Sequence, residues 1–303
     1  MTMAEARVQT IAAPRCELGE GPHYDRDGDR AWWFDIVGRK LYEHHFAENR
    51  TQAHALPRMG SVLAAVDAER QLLVLEDGLY LRRKADGALT LLHPLEEENA
   101  RTRSNDGRVH PSGRLWIGTM GKKAEREAGA IYWFDGRELR RLYDKVSIPN
   151  SICFSPDGSV GYFADTALNR VWRVALDPAS GLPRGEPETF LEGEVLPLGG
   201  AFDGSVVDAE GVLWNAAWGA GSVSGFSPDG SLLRTFEAPA AQTSCPCFVG
   251  ARLDRMLVTT AWEGYSQAQR EADPGAGFTY VIEGAFKGMA DCAFRLPPAT
   301  DNG

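Results

Sequence analysis

No apolar run in this 303-residue chain approaches the ~18 residues that span a bilayer, so neither a membrane-spanning helix nor a membrane partner is expected. The first residues, Met1 to Arg7, lead into no signal-like apolar core, which predicts a cytoplasmic protein. Positive charge is short: 32 Lys and Arg face 42 Asp and Glu. The resulting net charge of −10 argues against a nucleic acid partner, which wants a basic face. Cysteine is sparse and odd in number. Cys16, Cys153, Cys245, Cys247 and Cys292 show no zinc spacing, and the Cys245–Cys247 pair is not C-x-x-C. Buried free thiols in a reducing compartment are the expectation. All six histidines precede residue 111 and none forms an H-x-x-x-H pair, which argues against a histidine-rich zinc centre. His23, His110 and the pair His44 and His45 are expected at edges or in loops. Nucleotide fingerprints are missing too. The run from Gly219 to Gly225 misses the G-x-G-x-x-G spacing, and no G-x-S-x-G nucleophile elbow occurs.

Long helical periodicity is also nearly absent. Short runs rich in Val, Ile, Trp, Tyr and Phe, cut by Asp, Gly and Pro, predict an all-β fold. One unit, a turn followed by an apolar strand, recurs with markers at Gly28, Arg70, Gly113, Gly158, Gly211 and Asp254, at steps of 42, 43, 45, 53 and 43. A second strand follows each, near Tyr42, Tyr80, Tyr132, Trp172, Ser224 and Tyr280. Six such units predict a six-bladed β-propeller of four-stranded blades, one domain over residues 1–303. A single unit cannot bury its apolar face alone, so the six must close on each other. A strand near Val8–Ile11 is expected to pair with the last blade and shut the ring. Two separate β-sandwiches fit the regular spacing less well. Among the connections, Gly121–Ala128 is read as one or two helical turns. The stretch 177–200 is read as a long loop, and 263–277 as a polar insertion.

Eight residues before a marker lie Glu20, Asn105, Asn150 and Asp203, so four of six units place a carboxylate or amide at one phase. In the other two the phase falls on Val62 and Pro246. In a propeller this phase belongs to the innermost strand, facing the shared channel. Arg103, two residues before Asn105, falls on the same face by strand periodicity. Two carboxylates crowded in a narrow channel need a counter-charge. Carboxylate and amide oxygens together suit one divalent cation, Ca²⁺, Mg²⁺ or Mn²⁺, with Zn²⁺ still open. Taken singly, each of these residues also has turn chemistry: Asn150 follows Pro149, Asp203 precedes Gly204, and Glu20 sits between glycines.

The segments Leu18–Pro22, Arg103–Gly107, Ile148–Asn150, Phe202–Gly204 and Gly118–Met120, with the repeated turns, resemble the SMP-30, or gluconolactonase/regucalcin, family. The resemblance runs from about Glu17 to the end. It implies a six-bladed propeller with one catalytic divalent metal in its channel. It implies Glu20, Asn150 and Asp203 as metal ligands, Arg103 and Asn105 as substrate contacts, and hydrolysis of a small-molecule sugar lactone by a monomer or small homo-oligomer. Lys122, in the following loop, is a further substrate-binding candidate, although animal members carry an acidic residue near that position. The family often has Gly where Ser151 follows Asn150, and Pro where Phe202 precedes Asp203. Asp203 is the candidate base for the attacking water. Two other readings stay open at this point: hydrolysis of aryl esters or phosphotriesters on the same architecture, and a metal-stabilised binding propeller without turnover.

Overall fold

A computed structural model describes residues 6–11 and 13–298 and contains six four-stranded antiparallel sheets arranged in a ring. The innermost strands are Gly19–Asp25, Gly60–Ala65, Thr102–Val109, Pro149–Phe154, Ala201–Val207 and Thr243–Val249. Each touches the next around the ring, and the sixth touches the first. Within a blade the strands follow in chain order from the channel outward, as in Gly19–Asp25, Arg30–Asp35, Lys40–His45 and Arg50–Ala55.

The sixth blade is the exception. Its outermost strand is Arg7–Thr10, which pairs with Tyr280–Glu283 so that Arg7 opposes Glu283 and Thr10 opposes Tyr280. The strand expected near Val8–Ile11 thus closes the ring.

The turns explain why the repeat is legible in the sequence. An aspartate at the hairpin start accepts backbone N–H groups that the ladder leaves free. Asp67 Oδ1 takes Arg70 N at 2.8 Å, Asp157 Oδ1 takes Ser159 N at 3.0 Å, and Asp208 Oδ1 takes Val212 N at 3.0 Å. Apolar faces then meet between blades. Fully buried Trp116 of the third blade packs edge-on against Phe154 of the fourth at 5.5 Å between ring centres. Each such side chain is worth roughly 1.5–3 kcal/mol once buried, and it is buried only when the neighbouring blade is present.

Three expectations need correction. Gly121–Ala128 forms no helix: Gly121 ends a strand and turns follow. The α-helix among the described residues is Gln267–Ala272, inside the polar insertion, opened by a Ser266–Gln269 capping box. The stretch 177–200 is not loop throughout, because it supplies its blade's outer strand, Glu188–Glu192. His23 is neither edge nor loop but buried on an innermost strand, and His44 and His45 lie on the third strand of the first blade. His110 does lie in a loop.

Two features position the channel chemistry. First, all six innermost strands lose register with their neighbour at one level, for example between Glu20 and His23 or between Phe202 and Ser205. A bulge there re-aims side chains that strict alternation would send elsewhere. Second, the segment 284–298, without regular structure, crosses the hairpin end of the ring. Phe286 packs against Trp214, Phe236 and Phe248, and Phe294 stacks on Phe134. Between them Asp291 reaches the channel, pairing with Arg108 and with His23 Nδ1 at 3.1 Å.

Candidate active site

At the opposite end of the channel the bulged strands build a cavity of about 170 Å³. Glu20, Arg103, Asn105, Asn150 and Asp203, from four blades, all line it, and all are buried. Leu18, Met120, Ile148 and Trp218 supply apolar wall, and Thr166 and Glu263 add polar groups.

Local backbone explains how each ligand candidate is aimed. Gly21 follows Glu20 with φ +55°, and a Cβ there would lie 2.0 Å from the Ser61 carbonyl oxygen, so only glycine fits. Ser151 follows Asn150 at the equivalent turn with φ +54°. A left-handed serine costs about 1–2 kcal/mol, and three hydrogen bonds offset it. Ser151 Oγ donates to the Asp203 carbonyl at 2.6 Å and accepts from Ser205 Oγ at 2.9 Å and Asn215 Nδ2 at 3.2 Å. The departure from glycine at this position therefore ties the Asn150 strand to the Asp203 strand.

Asn105 is spent largely on positioning. Its Nδ2 donates to the Pro149 carbonyl and to Asn150 Oδ1, both at 2.9 Å, while its Oδ1 accepts from Arg103 Nη1 at 2.7 Å. Both N–H groups are committed, so toward a substrate it can only accept. Asn150 Nδ2 in turn donates to Thr166 Oγ1 at 2.8 Å, which leaves Asn150 Oδ1 facing the cavity.

The carboxylates are crowded. Burial, and then the charge of Asp106, pushes Glu20 up to about 8. Burial, and then Glu20 and Asp106, raises Asp203 well above the usual carboxylate range. Against them stands Arg103, buried in the same place. Among the described residues, Glu20 accepts the N–H of Gly21 and no other, and Asp203 that of Gly204. Their remaining lone pairs, with the second lone pair of Asn150 Oδ1, have no donor among the described residues. Such an oxygen-only set fits a hard divalent cation. Among the described residues no three of His, Cys, Asp and Glu converge as a ligand group.

Lys122 lies outside the cavity lining, with its Nζ paired to Glu76. Three polar residues at the site, Thr166, Asp106 and Glu263, were not singled out as site residues by sequence reasoning. Asp106 sits on the bulge, where alternation gives no guide, and its oxygens accept the N–H groups of Gly107 and Ile152, both at 2.7 Å. Glu263 belongs to the insertion, outside the repeat phase, and no sequence signal pointed to it.

Comparison with known proteins agrees with this architecture. The family model described as the SMP-30/Gluconolactonase/LRE-like region matches residues 18–262. A protein of Rhizobium meliloti (strain 1021), named provisionally as a sugar lactone lactonase, is 48% identical over 95% of this chain and 97% of its own. The L-arabinolactonase of Azospirillum brasilense is 33% identical over 95% of each chain. The crystal structure of regucalcin from Agrobacterium tumefaciens strain C58, described as a calcium-binding protein, superposes with a TM-score of 0.93 at 46% identity, covering 97% of this chain and 98% of that one. With its ring of six blades and these matches, the chain belongs to the SMP-30/gluconolactonase/LRE-like family.

Proposed function

We propose that this protein hydrolyses the ring ester of a sugar lactone to the free sugar acid, using a divalent cation held by Glu20, Asn150 and Asp203. The observation that carries this reading is the convergence of Glu20, Arg103, Asn105, Asn150 and Asp203 on one cavity. Sugar lactonase relatives support the substrate class, and the calcium-binding relative supports the cation. The cavity's 170 Å³ is the liquid volume of about six waters, the scale of one small ring rather than of a polymer.

When bound, the cation supplies Lewis acidity to the carbonyl and makes an attacking water more acidic. The protein's own residues do the rest. Arg103, whose Nη1 is fixed by Asn105 Oδ1 and the Ser104 carbonyl at 2.9 Å, directs its remaining N–H groups at the lactone oxygens. The Asp203 carboxylate takes the proton of the water as its oxygen bonds to the carbonyl carbon. The ring C–O bond then breaks, and that proton passes to the departing alkoxide, which becomes the new hydroxyl. The five unpaired thiols fit a reducing cytoplasm.

A pH-indicator assay tests the reading. Chelated protein is resupplied with Ca²⁺, Mg²⁺, Mn²⁺ or Zn²⁺ and offered aldonolactones, an aryl ester and a phosphotriester. Metal-dependent opening of an aldonolactone is expected to dominate. Metal binding without turnover on any of them would leave a binding propeller and end the lactonase reading.

A further inference from the structure

Glu263 stands apart from the other polar groups of the cavity. It comes from the insertion of the sixth blade, not from an innermost strand. Its backbone is held firmly. The Glu263 carbonyl accepts from Gln242 Nε2 at 3.2 Å, and Trp262 N donates to the Glu17 carbonyl at 3.1 Å. The Arg270 guanidinium covers the Trp262 ring at 3.6 Å, so the short helix clamps the residue just before it. The Glu263 carboxylate, by contrast, accepts no hydrogen bond from any described residue, although it lines the cavity half-buried. A firmly held backbone that carries an acceptor without a protein donor to the wall of a small cavity puts that acceptor within reach of a ligand.

Charge points the same way. Among the carboxylates that favour the Arg103 cation, Glu263 acts most strongly, ahead of Glu20, Asp203 and Glu76. With a dication balancing Glu20 and Asp203, Glu263 balances Arg103, and the cavity becomes neutral. Neutrality suits a lactone, which is uncharged, and disfavours retention of the sugar acid, which is an anion.

We infer that Glu263 is a specificity-determining residue whose carboxylate accepts hydrogen bonds from the ring hydroxyls of the lactone and weakens the hold on the acid product. This rests on the lactonase reading above. It selects polyhydroxylated lactones over bare ones, because a carboxylate buried against a methylene loses the partners a hydroxyl supplies.

The test compares wild type, Glu263→Gln and Glu263→Asp in saturating divalent metal, with an aldonolactone and with unsubstituted δ-valerolactone. Melting temperatures confirm that the variants fold, since the Glu263 carboxylate accepts no hydrogen bond from any described residue. In Glu263→Gln the ratio of kcat/KM for the aldonolactone to that for valerolactone is expected to fall about tenfold or more, mainly through KM. Inhibition by the aldonate product tightens several-fold, and Glu263→Asp recovers part of the selectivity. A ratio within twofold of wild type overturns the Glu263 assignment while leaving the lactonase reading intact. A wild-type protein inactive on every lactone overturns both, and the two failures are told apart by the wild-type rate alone.

Discussion

The buried carboxylates make a sharp prediction about stability without metal. In protein stripped of divalent cations, Glu20 binds its proton up to about pH 8, whereas an unfolded glutamate releases it near 4.5. A carboxyl raised in this way contributes stability that is complete below the unfolded value and is lost as pH climbs through the folded one. The clean window lies between pH 6.5 and 8.5. Below it, His44, whose burial holds it down at about 4, and His110, also lowered by burial, contribute with the opposite sign. Across those two units Glu20 alone removes about 2 kcal/mol, and Asp203, raised by the same burial, adds loss of the same sign. For a chain this long, about 2 kcal/mol is a fall in Tm of roughly 3 °C. The assay is thermal unfolding by circular dichroism at several pH values in chelator, repeated with excess Ca²⁺ and with Glu20→Gln. Added cation should flatten the slope, because it favours the ionised carboxylates, and Glu20→Gln should reduce it. Metal-free stability that stays level or rises from pH 6.5 to 8.5 would refute the crowding argument.

Other expectations follow from the hydrogen bonds. Asn105→Ala frees Asn150 Oδ1 from the amide that orients it, so divalent-cation affinity measured by calorimetry should drop about 10- to 100-fold, as for other residues that hold a ligand in place. Unchanged affinity would mean that Thr166 suffices to orient Asn150. Asp291→Asn leaves the Arg108 guanidinium, under a fifth exposed, without its counter-charge. Loss of about 3 kcal/mol is expected, read as a lower urea midpoint. In the wild type, Arg108 and His23 hold Asp291 down at about 2 against its burial, so this contribution persists above the ordinary aspartate value and is lost only as pH falls through about 2.

The ring was legible because its punctuation is chemical. Asp67, Asp157 and Asp208 each close their turns through their own side chains, so the period survives in the sequence as a row of aspartates and glycines. The convergence of Glu20, Asn150 and Asp203 was legible for a related reason, since distance from the turn sets height along the channel. What period could not give was direction. Asn105 lines the cavity while its neighbour Asp106 holds backbone amides, and both lie on the bulge between Ser104 and Gly107, where strand alternation gives no direction. Glu263 was invisible because insertions share no phase with the blades. The supposed helix at Gly121–Ala128 shows the converse: its charged residues are exposed, and no apolar stripe was present to hold a helix there.

The pairing of Arg7–Thr10 with Tyr280–Glu283 has a consequence for synthesis. Arg7–Thr10 is made before the other strands of all six blades and must wait for Tyr280–Glu283. The first five sheets are each contiguous in sequence and can fold as they emerge. The seam between the sixth and first sheets is made by residues 243–260, which touch the first inner strand, but the sixth sheet is complete only after residue 283 has cleared the exit tunnel. Until then the nascent chain carries open strand edges of the kind that pair wrongly with other chains. Those edges stay open through the interval between translation of residue 243 and capture of Arg7–Thr10.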